Sequence, residues 1–390
     1  MKKGSSKSKE EKKVTRKARQ RDLGTVSKGS IAKIKVLGMG GAGGNAVDFM
    51  KRDSDSGDIE FIAMNTDAQD LNSSDADIKI QLGEKITKGL GAGANPEIGK
   101  LGAEEDKDKI KSAIVGTDLL FITAGMGGGT GTGSAPVVAR IAKEMGILTV
   151  AVVTKPFNFE GLKRRQNSMA GINELSQYVD TLVVIPNEKL FELPNKGISL
   201  VNAFESANGI LKIGIRGISD LITKQGYINL DFADIRSIMS ESGVAMLGFG
   251  YAEGEDRAKI AAEQALNSPL LERPITGARK ILLNISGDPE LGLNEASQIA
   301  EMVSSATGDT ATDVIFGTVI DSSLNKGIKV TIIATDFMDG PDPRVANNSN
   351  RVELGPEKRS FQDSSREHVE SSSDYSDVLD IPAFLRRNRK

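Results

Sequence analysis

Cysteine and tryptophan are missing from the 390 residues, and histidine occurs once, at His368. Without cysteine there is no disulfide, thiolate zinc site, iron-sulfur cluster or cysteine nucleophile. A single histidine, set in a Ser- and acid-rich stretch, removes Ser-His-Asp triads, histidine-bearing metal clusters and imidazole acid-base chemistry from any core. Catalysis would have to rest on carboxylates, backbone amides, Asn or Gln amides, Arg, Lys and a metal ion. Long apolar runs are missing too: none approaches the roughly 18 residues of a membrane span, and the polar N-terminus lacks the apolar core of a signal peptide. The expectation is a cytoplasmic protein.

What is abundant is glycine, 42 residues against a usual share of about 7%. It is concentrated in loops between apolar runs. The net charge of -3 hides an asymmetry: residues 1–30 carry eleven Lys or Arg against three acids, so the other 360 residues sum to -11. Residues 1–29 have too few apolar side chains and too many like charges to fold alone, and read as a disordered basic arm. A solubilising role is the simpler reading, contact with acidic lipid or nucleic acid the alternative; nucleic acid is not expected as a partner of the protein as a whole.

From Ile31 short β-rich runs alternate with helical patterns: Ile31–Leu37, Phe61–Met64, Leu119–Thr123, Leu148–Val153 and Leu182–Ile185. Such runs imply a parallel sheet covered on both faces, with ligands beyond the carboxyl ends of the strands. Apolar residues at helical spacing from Ser199 to Leu221 (Leu200, Phe204, Ala207, Leu211, Ile215, Ile218) predict one long helix, with Asn208 on a neighbouring face. A second α/β or α+β unit follows, with helices near 256–266 and 295–305 and strands near 280–285, 313–318 and 329–334. The expected organisation is an arm (1–29), a nucleotide domain (30–197), a connecting helix (198–225), a smaller domain (226–338), a flexible linker (339–376) and a terminal docking peptide (377–390). Random-coil scaling gives the linker a reach of about 35 Å.

Two glycine clusters occupy strand ends. Gly38-Met39-Gly40-Gly41-Ala42-Gly43-Gly44-Asn45 runs from a strand into a helix, where bare amides and the helix dipole make an anion site. Alone it is the weak G-x-G-x-x-G signal. The second cluster, Gly125 to Ser134, interleaves six glycines with Thr130 and Thr132, a pattern packing does not explain. Two such loops on one sheet edge point to a polyphosphate. No Walker sequence exists, since the candidate ending in Gly99-Lys100 has Ala94 and Leu101 in place of the first glycine and the hydroxyl, and Asn195 and Asn325 do not supply N-K-x-D. Further polar loops at strand ends share that edge: 65–67 with Asp67, 89–95, 154–161 followed by Arg164, and Asn187. Asn229-Leu230-Asp231-Phe232-Ala233-Asp234 places two acids on one helical face, and an N-cap by Asn229 or Asp231 accounts for it equally well.

Together V-L-G-M-G-G-A-G-G-N, N-T-D-A-Q, G-A-G-M-G-G-G-T-G-T-G, T-K-P-F-N-F-E-G, N-L-D-F-A-D and the terminal D-I-P-A-F-L-R-R resemble the FtsZ family, the bacterial tubulin homologues of cell division. The resemblance implies a tubulin-like α/β fold and a GTPase that assembles head to tail into protofilaments and a ring at the division site, under the inner membrane. It implies that Gly40, Gly41, Ala42, Gly43, Gly44 and Asn45 meet phosphates and sugar, and that Gly128, Gly129, Thr130 and Gly131 wrap the phosphates. Gly91, Ala92, Gly93, Ala94 and Asn95 would sense the γ-phosphate, with Asp67 in the same nucleotide-binding set. Glu160 and Arg164 would contact the ribose, and Asn187, Phe204 and Asn208 would hold guanine. Asn229, Asp231 and Asp234 would enter the next subunit's site and polarise the attacking water, with Mg²⁺ held through phosphates and water rather than by protein ligands. Asp380, Ile381, Pro382, Phe384, Leu385 and Arg386 would bind membrane-tethering and regulatory division proteins. Asp336, where the family usually has glycine after the last strand, and the basic arm depart from the pattern.

Two other readings compete. A Rossmann-type oxidoreductase needs one glycine fingerprint and an acid about 20 residues on, for which Asp58 or Glu60 could serve, but it leaves the glycine-threonine loop idle. A tubulin-like protein that polymerises without hydrolysis is opposed by the intact Asn229, Asp231, Asp234 set.

Overall fold

The computed structural model describes residues 32–52, 59–192, 200–224, 226–308 and 313–337. The basic arm, the linker and the terminal peptide from Asp380 to Arg386 lie outside the described residues.

Among the described residues ten strands form one sheet in the order β3-β2-β1-β4-β5-β6-β7-β10-β8-β9. Its first half comprises β1 (Ile34–Met39), β2 (Ile59–Asn65), β3 (Ile78–Gln81), β4 (Leu119–Gly125), β5 (Leu148–Lys155) and β6 (Thr181–Pro186). These pair parallel throughout. Alternate residues face opposite layers, and both layers are apolar, which is why the strands read as unbroken runs. Val36, Phe61, Phe121, Val150 and Val152 face α1 (Gly40–Lys51) and α8 (Leu200–Thr223). Leu37, Ile62, Ile122, Ala151 and Val153 face the opposite layer, which includes α5 (Lys107–Ile114), α6 (Thr130–Glu144) and α7 (Leu162–Leu175). The short α2 (Ala68–Ser73), α3 (Glu84–Thr87) and α4 (Pro96–Glu105) fill the connections between β2 and α5.

The long helix is observed over 24 residues, and its Ala207, Leu211, Ile215 and Ile218 are buried as the spacing predicts. Beyond it come α9 (Phe232–Met239), β7 (Gly243–Glu253), α10 (Arg257–Leu266), β8 (Ala278–Gly287), α11 (Leu293–Thr307), β9 (Asp313–Ile320) and β10 (Gly327–Phe337). Here the sheet changes character: β10 is antiparallel to both β7 and β8, while β8 and β9 are parallel. Only three residue pairs, Thr181 with Gly243 through Val183 with Ala245, join β6 to β7.

Two strands were not anticipated. β3 has four residues, too short for a periodicity signal. β7 carries Gly248 and Gly250, where a Cβ would lie 2.4 Å from Ala265 O and 2.0 Å from Ala261 O of α10. The glycines that allow helix and strand to approach also hide the strand. Strand ends expected at Leu37, Thr123 and Ala334 extend to Met39, Gly125 and Phe337. Asp336 therefore lies inside β10 rather than after it, with φ +53, a left-handed conformation that explains why glycine suits the position.

Candidate functional site

The strand order reverses between β1 and β4, so their connections leave the sheet in opposite directions and open a crevice at their carboxyl ends. Both glycine clusters are there. Gly40, at φ +67, turns the chain from β1 directly into α1, and Gly129 precedes the first turn of α6. The first amides of both helices have no intrahelical acceptor and carry the positive ends of the helix dipoles, the two requirements of a polyphosphate cradle.

The loops interlock without room for side chains. A Cβ on Gly40 would lie 2.9 Å from Gly131 N, and one on Gly131 would lie 2.9 Å from Met39 O. Thr66 and Thr130, both buried, share a hydrogen bond of 2.6 Å between hydroxyls, and the Gly127 amide donates to Thr132 Oγ1 at 2.7 Å. The 91–95 loop is drawn against the same cluster: a Cβ on Gly129 would meet Ala92 Cβ at 2.7 Å and Asn95 N at 2.9 Å. Asn167 Nδ2 ties it further, donating to Ala94 O at 3.3 Å and Gly127 O at 3.4 Å.

Between these loops and α8 lies a cleft of about 340 Å³, within the range of roughly 300–1,000 Å³ usual for small-molecule sites. Of the predicted residues it is lined by Gly40, Gly41, Ala42, Asn45, Gly128, Gly129, Thr130, Gly131, Glu160, Arg164, Asn187, Phe204 and Asn208. Five segments far apart in sequence thus meet at one place. Met39, Ala207 and Leu211 also line it and were not singled out. Ala207 and Leu211 continue the Phe204 stripe at helical spacing, which could have revealed them.

Gly43, Gly44, Asp67 and residues 91–95 do not line this cleft. Gly43 is buried where α1 crosses β1 and β4, its missing Cβ 2.5 Å from Thr123 O. Gly44 borders a small neighbouring depression. Asp67 caps α2, accepting from the amides of Gln69 at 2.9 Å and Asp70 at 3.2 Å.

At the other end of the cleft Asn187 is buried, and its Oδ1 has no hydrogen-bond partner among the described residues. A buried acceptor left unmatched costs about 1–3 kcal/mol, so it marks a place for a donor from a ligand. Phe204 is half-exposed and stands edge-on to the buried Phe157, centroids 5.5 Å apart, which leaves a ring face for stacking. Glu160 accepts from Arg164 at 2.5 Å and from the Phe157 amide at 2.9 Å. It is the only acid among the described residues lining the cleft.

Asn229, Asp231 and Asp234 are elsewhere. Asp231 Oδ1 accepts from the Asp234 amide at 2.8 Å and Asp234 Oδ2 from the Asp231 amide at 3.2 Å, a reciprocal capping box on α9. The capping alternative thus holds for Asp231 and not for Asn229, whose Oδ1 accepts from the Gly226 amide at 2.8 Å. Each capping bond uses one oxygen of its carboxylate, and both residues reach solvent.

Family models match the chain twice, the GTPase domain of the Tubulin/FtsZ family over residues 33–195 and the FtsZ family C-terminal domain over residues 243–338. The cell division protein FtsZ of Buchnera aphidicola subsp. Baizongia pistaciae is 47% identical over 375 residues, 92% of this chain and 97% of its own. That of Wigglesworthia glossinidia brevipalpis is 48% identical over 374 residues, with the same coverage of 92% and 97%. The chain belongs to the FtsZ family. It is a GTPase and a GTP-dependent, polymerising cell division protein. A solved structure of an empty FtsZ dimer from M. jannaschii superposes with a TM-score of 0.75 at 46% identity, covering 84% of this chain and 92% of that one.

The cleft fits such a ligand. The bare amides suit the phosphates, the unmatched Asn187 oxygen suits a base that presents N–H donors, and the Phe204 face suits a purine ring. Among the described residues no group of three or more carboxylates could hold a metal ion by itself.

Proposed function

We propose that one chain binds GTP in the glycine-lined cleft and that a second copy, docked head to tail, completes the hydrolytic site with Asn229, Asp231 and Asp234. One observation carries this reading: Glu160, the sole acid among the described residues that line the cleft, is already held by Arg164 and the Phe157 amide, while two solvent-reaching carboxylates stand on α9 away from it. Water attack on a phosphoryl group needs a group that orients the water and takes its proton. Among the described residues, carboxylates free for that role stand outside the cleft.

In this reading the amides of Gly41, Gly129 and Gly131 fix the phosphates, Glu160 and Arg164 the ribose, and Asn187, Asn208 and Phe204 the guanine. Residues 91–95, packed on Gly129, respond to the terminal phosphate. The Asp231 and Asp234 oxygens left over from the capping box hold the water in line. Mg²⁺, when bound to the phosphates, supplies charge neutralisation. Phe204 and Asn208 of the cleft are near the start of the 24-residue α8, and Asn229 to Asp234 follow its far end; a contact between two such different surfaces is heterologous and continues as a filament, and hydrolysis follows assembly. Residues 30–197 and 226–338 act as nucleotide and activating domains joined by 198–225. The terminal peptide, with Ile381, Phe384 and Leu385 beside basic residues, docks adaptors that hold the filament at the division site under the membrane.

The test is phosphate release with GTP and Mg²⁺ across a protein concentration series, with light scattering, for wild type and Asp234→Asn. The asparagine keeps an acceptor for the Asp231 amide, so the α9 cap survives. Activity per subunit should switch on above a threshold concentration, and the variant should assemble yet turn over slowly. Activity per subunit independent of concentration would overturn the shared site.

A further inference from the structure

An acid stands behind the phosphate loop with no part in the reading above. Asp70, in the first turn of α2, directs Oδ2 at the loop: a Cβ on Gly41 would lie 3.1 Å from it. The same oxygen accepts from Asn65 Nδ2 at 2.6 Å, and Asn65, nearly fully buried, also receives the Asp67 amide on Oδ1 at 3.2 Å. Asp70 is therefore fixed rather than free to swing away, and it lines the small depression that Gly40, Gly44 and Asn45 share with Asp48.

Among the described residues, the charges that act on it have one sign. Burial raises the Asp70 carboxyl above its ordinary value, Asp67 at the N-cap of α2 and Asp48 on α1 raise it further, and the Asn65 hydrogen bond works against them and lowers it. Lys51 of α1 is paired with Asp77, and Lys79 of β3 donates to Asn72 O. Asn65 of β2 offers only a neutral amide. Bringing three phosphates to the other side of Gly41 adds negative charge where an anion is already poorly tolerated.

We infer that Asp70 is a positioning residue of the nucleotide site whose proton is linked to nucleotide binding: the chain takes up a proton at Asp70 as the polyphosphate seats against Gly41. Protonated, Asp70 still accepts the Asn65 hydrogen bond through one oxygen, so the Asn65–Asp67 turn under the loop is kept while the repulsion is removed. Nucleotide affinity then falls as pH rises through the range where free Asp70 ionises. At full linkage of one proton the limiting slope is about tenfold per pH unit. The inference rests on the glycine cleft being the nucleotide site.

The experiment compares wild type with Asp70→Asn, which keeps size and hydrogen-bond capacity but carries no charge. GDP binding is followed by titration calorimetry between pH 5 and 8, in pairs of buffers with different ionisation heats. The nucleotide's terminal phosphate titrates in the same window, so the ratio of the two affinities at each pH is the quantity read. The expected result is a ratio favouring the variant by severalfold at pH 8 and closing toward pH 5, with additional proton uptake by wild type only. A ratio constant with pH, or equal proton uptake by both proteins, overturns the inference, because a merely structural Asp70 would alter affinity without altering its pH profile. Asp70→Ala repeats the charge loss without the amide and must give the same slope. Loss of GDP binding from the wild type itself would instead sink the assignment of the cleft.

Discussion

Two adjacent glycines of the first loop are predicted to respond to the same substitution with opposite signs. In Gly43→Ala the new methyl would lie 2.5 Å from Thr123 O and 2.9 Å from Gly38 C, both backbone atoms of strands that cannot swing aside. Ordinary contact begins at 3.4 Å, so α1 must lift off β1 and β4 by roughly 0.9 Å, and forced overpacking of this kind costs about 1–3 kcal/mol. Alanine's better helix propensity returns about 1 kcal/mol at most, leaving a net loss of up to about 2 kcal/mol. In Gly44→Ala the methyl meets nothing within 4 Å and the backbone is helical. Only the propensity gain remains, a stabilisation of about 0.5–1 kcal/mol. Urea unfolding at fixed GDP concentration measures both, and GDP affinity should change for Gly43→Ala while staying within about twofold for Gly44→Ala, since each 1.4 kcal/mol is tenfold and Gly44 does not line the cleft. Equal destabilisation by both substitutions would refute the packing argument. Loss of GDP binding by Gly44→Ala alone would show that the residue meets the nucleotide.

Other outcomes follow from named contacts. Thr130→Val leaves the buried Thr66 hydroxyl without its 2.6 Å partner and should cost about 1–3 kcal/mol by chemical denaturation. Phe157→Ala removes a fully buried ring that supports Phe159, Phe191 and Phe204; unfolding should be easier by about 3–5 kcal/mol, and guanine nucleotide affinity should drop as Phe204 loses its edge-on support. Glu295 is held below the ordinary carboxylate range chiefly by its hydrogen bonds to Arg257. That contribution is present above its unfolded pKa and is lost as pH falls through the folded one, so acid unfolding of Glu295→Gln should show a shallower dependence between about pH 5 and 3 than wild type.

Much of the site was legible because its grammar is local. Gly40 and Gly131 must be glycine for reasons that a strand, a turn and a helix start already imply, and the strands before them read as buried runs. Phe204 and Asn208 could be placed on one helix by spacing alone. What was not legible is non-local. Gly43 looks like its neighbours in sequence, yet only the crossing of α1 over Thr123 shows that its missing side chain serves packing. The Asp231–Asp234 spacing fits a cap and a catalytic pair equally, and the geometry shows that the cap is real without removing the other role. Asp70 carried no signal, because its meaning depends on facing Gly41 across a fold. β7 was missed because Gly248 and Gly250 serve the approach of α10 and spoil the alternation by which a strand is read.

The claim that the hydrolytic site is shared is tested most directly by mixing two inactive chains. One is Asp234→Asn, with an intact cleft; the other is Gly40→Val, in which a β-branched residue is forced to φ +67 against Gly131 and the cleft is closed. If each copy completes its neighbour's site, the mixture should co-sediment with GTP and release phosphate well above the sum of the separate proteins, because interfaces that pair an intact cleft with an intact Asp234 now exist. A mixture that co-sediments and yet hydrolyses no faster than that sum would contradict the account.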